Sequence, residues 1–122
     1  MTSIAVREQG QATVVMVHGD LTLSGSAQEL RKTAEELLNT GPRNLIIDLS
    51  DVRFVDSAGV ANLTVAWDKA RKLGGRLALI VAPSSKVEQV LSLTRLNALF
   101  ATYSTVDAAL AAFSATRELR EM

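Results

Sequence analysis

At 122 residues the chain is long enough to bury one core and too short for two ordinary ones. Lys plus Arg and Asp plus Glu each number 13, so no domain-wide basic field draws the chain to phosphate backbones or anionic lipid, and neither nucleic acid nor membrane is expected as a partner. Cysteine is absent, which removes a disulfide framework, a thiolate nucleophile and a thiolate zinc site together.

Hydrophobic residues make up 48% and charged residues 21%, the balance of a globular protein rather than a disordered one. The N-terminal residues Met1 to Glu8 lack the basic stretch and apolar run of a secretory signal, and no apolar run approaches the roughly 20 residues of a membrane span. A soluble, cytoplasmic, single-domain chain over residues 1–122 is expected, with its core at about 4–113 and a charged, frayed tail over 114–122.

Two short apolar runs, Ile4 to Arg7 and Ala12 to His18, flank the Gln9-Gly10-Gln11 turn signal and predict a β-hairpin. The second run, Thr13-Val14-Val15-Met16-Val17, is apolar on both faces, as in a strand covered from both sides. Ser26 and Glu29 have capping-box spacing and open a helix with Leu30, Ala34, Leu37 and Leu38 on one face, stopped by Gly41-Pro42. Leu45 to Leu49 follows as a buried strand, and a loop from Ser50 to Asp56 leads to a helix beginning near Ser57. Val60, Leu63, Trp67 and Ala70 form the expected inner stripe of that helix, and Gly74-Gly75 stops it.

Leu77 to Ala82 predicts the next strand, and the Pro83-Ser84-Ser85 turn leads into a second capping box, Ser85 with Glu88, on a helix through Leu93. A last strand is predicted from Leu99 to Tyr103. A terminal helix follows from Val106 to about Arg120, with Leu110 and Phe113 facing inward. The order ββαβαβαβα implies an α/β fold: a mixed sheet of about five strands with helices packed on it, parallel except at the opening hairpin.

Chemistry concentrates in the corner Asp48-Leu49-Ser50-Asp51-Val52-Arg53-Phe54-Val55-Asp56-Ser57-Ala58-Gly59-Val60, where a buried strand passes through a loop into a helix. Parallel sheets gather functional groups at the carboxyl ends of their strands. First-turn amides lack intrahelical partners and the helix dipole is positive there, so a Ser at this position either caps the helix or, once phosphorylated, carries a stabilised dianion.

The corner resembles the phospho-acceptor region of STAS domains, in particular the anti-sigma-factor antagonists. Their pattern is a buried strand, Asp-Leu, and then Phe-x-Asp-Ser-(Ser/Ala/Thr)-Gly opening a helix. Asp48-Leu49 and Phe54-Val55-Asp56-Ser57-Ala58-Gly59 match it, and Gly19-Asp20-Leu21, Gly74-Gly75 and Leu93-Thr94-Arg95-Leu96 extend the likeness from about Ile4 to Phe113. The resemblance implies a non-enzymatic module that binds an anti-sigma factor with Ser/Thr kinase activity, frees a sigma factor for transcription, and is switched off by phosphorylation of Ser57. It implies a partner surface of Asp20, Thr22, Asp56, Ser57, Ala58, Gly59 and Asn62, with no cofactor and no metal, and it leaves a homodimer open. One departure stands out: the family commonly reads Gly-Glu-Leu-Asp where this chain has Gly19-Asp20-Leu21-Thr22, so a neutral hydroxyl replaces an acid tied to productive phosphorylation. Asp20, two residues earlier, is the alternative carrier of that role.

Two other readings use the same residues. A STAS subunit or scaffold without a phosphorylation switch, in a lipid-transport ABC complex or a stress-sensing assembly, would leave Ser57 a simple N-cap. A small phosphate-handling enzyme would hold Mg²⁺ between Asp48 and Asp51 or Asp56. His18, the only histidine, reads as a packed or hydrogen-bonded residue rather than a base, since no nucleophile is tied to it. Trp67 reads as core, and Gly74-Gly75 lacks the order of a dinucleotide site.

Overall fold

The computed structural model describes residues 3–41 and 44–121, with side chains over 4–41 and 44–114. β1 (Ser3–Gln9) and β2 (Ala12–His18) form an antiparallel hairpin in register from Ser3 opposite His18 to Gln9 opposite Ala12. Gly10 takes the turn with φ +61°, a conformation open to glycine at little cost. β3 (Asn44–Asp51), β4 (Arg76–Ile80) and β5 (Ala101–Tyr103) add in parallel, so the sheet runs β1-β2-β3-β4-β5 in chain order.

Alternation along the central strands divides the core between two faces. Val15, Val17, Leu45, Ile47, Leu49, Leu77 and Leu79 face α1 (Ala27–Thr40), α2 (Ser57–Lys72) and α3 (Lys86–Leu93). Val14, Ile46, Ala78 and Ile80 face the opposite way and are covered by Ala109 and Phe113 of α4 (Val106–Glu121). Leu110 packs beside them, half-buried. The α/β class, the mixed five-stranded sheet and the order of elements agree with the expectation from sequence. Among the described residues no helix is long and apolar enough to cross a membrane.

Local differences have identifiable causes. Ser26 does not cap α1 through its side chain: its ψ of 4° is not extended, and its buried hydroxyl donates to the Asp20 carbonyl at 2.9 Å. At α3 the capping box forms in modified shape. Ser85 Oγ accepts from the Glu88 amide at 3.2 Å, whereas Glu88 Oε1 reaches the amide of Ser84 rather than Ser85, which is already bonded to Ala82. The stripe of α2 is Gly59, Leu63, Ala66 and Ala70; Trp67 packs at its edge, edge-to-face with Phe100, while Val60 is half-buried and joins neither core cluster. β5 begins at Ala101 rather than Leu99, because Arg95 turns left-handed (φ 60°) and Leu96–Ala98 form a 3-10 turn that buries Phe100 and leaves Leu99 outside. β4 ends at Ile80, although Val81 still donates to the Tyr103 carbonyl. The stop of α1 is seen at Gly41, whose amide bonds to Leu37; Pro42 lies outside the described residues. The α4 backbone runs through Glu121, so the expected tail is helical, and its side chains beyond Ser114 lie outside the described residues.

Candidate functional site

Two loops meet where β2 and β3 end. The first, after His18, is held by its own backbone: the Asp20 carbonyl accepts from the amide and hydroxyl of Ser26, and the Thr22 carbonyl accepts from the amides of Gly25 and Ala27. Gly25 is required for space, since a Cβ there would lie 2.5 Å from the Asp20 oxygen. The second loop, after Asp51, runs alongside. Leu21 pairs with Val55 as a short parallel bridge, Leu21 N–H donates to the Phe54 carbonyl at 2.9 Å, and Asp56 N–H donates to the Leu21 carbonyl at 3.3 Å.

Asp56 joins these loops to the helix. One carboxylate oxygen accepts from the Gly59 amide at 2.9 Å and caps α2; the other accepts from the Leu23 amide at 3.0 Å across the corner. Both bonds favour the anion, and the Leu23 amide followed by the Gly59 amide holds the Asp56 carboxyl below its ordinary 3.8. Gly59 completes the joint, because a Cβ there would sit 2.1 Å from the Leu21 oxygen and 2.7 Å from Val55 Cγ2. The first turn of α2 thus rests directly on the backbone of the neighbouring loop.

Ser57 is not the cap. It is the first residue of α2, exposed, and its hydroxyl makes no hydrogen bond to another described residue. The capping alternative raised for Ser57 falls to its neighbour Asp56, and the serine hydroxyl is left free at a positive helix end. Ala58 is half-buried, and its carbonyl accepts from the Asn62 side-chain amide at 2.8 Å, one turn along the same helix. Asp20 and Thr22 are half-buried on the first loop; Gly59 is buried and shapes the surface from beneath.

Three residues absent from the expected surface also belong to this corner. Leu23 is 65% exposed and Phe54 51%, large apolar side chains in water on the two loops that Asp56 ties together. Lys86, at the start of α3, holds its ammonium 5.0 Å from the centre of the Phe54 ring. Phe54 was legible as a motif position, but nothing in the spacing of Leu23 or Lys86 announced a shared surface.

The acidic residues considered for a metal are separately engaged. Asp48 Oδ1 accepts from the amide and hydroxyl of Ser50, at 2.9 and 2.6 Å, and Asp51 pairs with His18 Nδ1 at 2.8 Å. Asp56 is taken by its two amides, and no group of three or more candidate metal ligands occurs among the described residues. His18 and Asp51 are both exposed, so their contact contributes little to stability.

Comparisons with known proteins place the chain as a whole. The model of the STAS domain matches residues 3–109. A protein of Thermotoga maritima named "Putative anti-sigma factor antagonist" is 31% identical over 97 residues, covering 80% of this chain and 85% of its own length. The crystal structure of an anti-sigma factor antagonist from Mycobacterium paratuberculosis superposes with a TM-score of 0.81 at 28% identity, covering 92% of this chain and 93% of that one. The phosphorylated form of the Bacillus cell fate determinant SpoIIAA gives a TM-score of 0.69 at 18% identity over 91% of this chain and 99% of its own, a likeness of fold alone. With a family match over residues 3–109, nearly its whole length, and a mixed five-stranded sheet carrying four helices, this chain belongs to the STAS domain family.

Proposed function

We propose that this chain is an anti-sigma factor antagonist of the cytoplasm, a regulatory module rather than an enzyme. It binds an anti-sigma factor that is itself a Ser/Thr kinase, and phosphorylation of Ser57 ends the complex. Its named relatives support the antagonist role. The observation that carries the switch is the division of labour at α2: Asp56 caps the helix, and the exposed Ser57 hydroxyl beside it has no structural task. The partner surface is the joined loops and first turn of α2, with Asp20, Thr22, Asp56, Ser57, Ala58 and Asn62 on it and Gly59 supporting it.

In the transfer, Ser57 Oγ bonds to the γ-phosphorus of ATP, the bond to the ADP oxygen breaks, and the hydroxyl proton passes to a base of the kinase. The product dianion faces a helix N-terminus, which stabilises it, and the Asp56 carboxylate, which repels it. Release therefore arises at the interface. A partner surface that packed on a neutral hydroxyl meets two adjacent negative groups with their hydration.

The test uses the purified full chain, a kinase-type anti-sigma factor from the same host, and radiolabelled ATP. Label is expected on wild type and absent from Ser57→Ala. In calorimetry Ser57→Ala binds within about 1 kcal/mol of wild type, since no cap is lost, and Ser57→Glu binds more weakly. Thr22→Asp, restoring the acid usual in the family, speeds labelling. Equal affinities for the Ala and Glu variants, or label retained in Ser57→Ala, would sink the switch.

A further inference from the structure

A second concave site lies away from the Ser57 corner. A half-enclosed cleft of about 290 Å³ opens where β4 and β5 end, walled by α3 and the 3-10 turn that follows it. Its floor includes the buried side chains of Val81 and Leu91. Around it stand Glu88, Ser92, Asn97, Thr102 and Ser104, all exposed. An apolar base with a few converging polar groups, near the lower size limit of small-molecule pockets, is the ordinary architecture of a ligand site.

The rim has the chemistry of recognition rather than of packing. The side chains of Ser92, Asn97, Thr102 and Ser104 make no hydrogen bond to another described residue, so their donors and acceptors are open to a guest. Glu88 spends Oε1 on the Ser84 amide and keeps its other oxygen. Among the described residues no Lys, Arg or His lines the cleft, so its one carboxylate sets its sign. That sign disfavours phosphorylated and carboxylate ligands and favours a cation.

The backbone around α3 adds a second, independent observation. Ser84, just before the helix, has φ 62°, and Arg95, just after it, has φ 60°. Left-handed non-glycine residues are costly, and such strain gathers at sites that hold ligands. Here the two bracket the helix that forms the cleft wall.

We propose that this cleft binds a small hydroxylated amine, its ammonium on Glu88 and its hydroxyls on the rim of Ser92, Asn97, Thr102 and Ser104. This stands apart from the reading of Ser57. The test is a titration of the isotope-labelled full chain by NMR with protonated ethanolamine and glucosamine, against glucose and gluconate as neutral and anionic counterparts. At least one of the amines produces saturable shifts at the Asn97 side-chain amide and the Ser92, Thr102 and Ser104 backbone amides. Glucose binds roughly tenfold more weakly, the value of one charge-assisted hydrogen bond, and gluconate more weakly still. Glu88→Gln keeps an oxygen for the Ser84 amide and loses a comparable factor, while Ser92→Leu fills the cleft and abolishes the shifts. Absence of saturable shifts with both amines, shifts confined to another surface, equal binding of glucose or gluconate, or an unaffected Glu88→Gln variant would each overturn the proposal.

Discussion

Asp56 and Ser57 are adjacent, both belong to the set of good capping residues, and their side chains have nearly opposite fates. Which of them caps is decided by the backbone: Asp56 is extended (φ −104°, ψ −175°), so its carboxylate turns back to the Gly59 amide, and Ser57 is already helical. Composition shows that a cap is present without showing which neighbour supplies it, and for the same reason Ser26 misleads. The depressed Asp56 carboxyl has a consequence for acid stability. Its folded value lies below 3.8, so the anion's contribution is fully present above that value and is lost as pH falls through the lower folded value. Asp56→Asn is therefore expected to be less stable than wild type at neutral pH, with the gap narrowing below pH 3.8, in urea melts across a pH series. Asp68, depressed by Lys72 and Arg71, keeps part of the acid limb in both proteins. A gap independent of pH would mean that the charge of Asp56 does not hold the corner.

At the scale of elements, apolar spacing made every strand and helix legible, and errors of one or two positions remain where tertiary contact decides. The buried stripe of α2 illustrates this. A Trp67-Leu63-Val60 face looks heavier than one built on Gly59, Ala66 and Ala70, yet the small residues lie inside, where the helix packs against α1 and must sit on the Leu21 carbonyl. Periodicity reports which residues share a face, and close approach decides which face wins. Gly59→Ala is expected to destabilise the protein by about 1–3 kcal/mol in denaturant melts, because the added Cβ meets a backbone oxygen that cannot rotate away. A cost below about 0.5 kcal/mol, the range of a neutral surface change, would show that the helix is not seated on that loop.

Across the whole molecule the strand order never reverses, so each strand enters the sheet beside the one before it. That regularity made the architecture readable from the alternation of elements, with right-handed crossovers supplying the rest. It could not reveal that two loops more than thirty residues apart in sequence would be stitched side by side, which is how Leu23 and Phe54 come to share a surface. The stitching has a kinetic consequence. Val15, Ile47 and Leu79 lie fully buried at the centre of the sheet, whereas the Leu23 amide is tied by a single bond to the carboxylate of the exposed Asp56, and the Asp56 amide by a single long bond to the Leu21 carbonyl. The corner can thus lift while the sheet stays closed, like a latch on a shut door, and local opening of this kind costs less than global unfolding. In native-state hydrogen exchange the Leu23 and Asp56 amides should exchange at rates nearly independent of low urea, while Ile47 and Leu79 respond steeply. Equal urea dependence at all four would make the latch part of the door, so that the serine's surroundings could be reshaped only by breaking the whole fold.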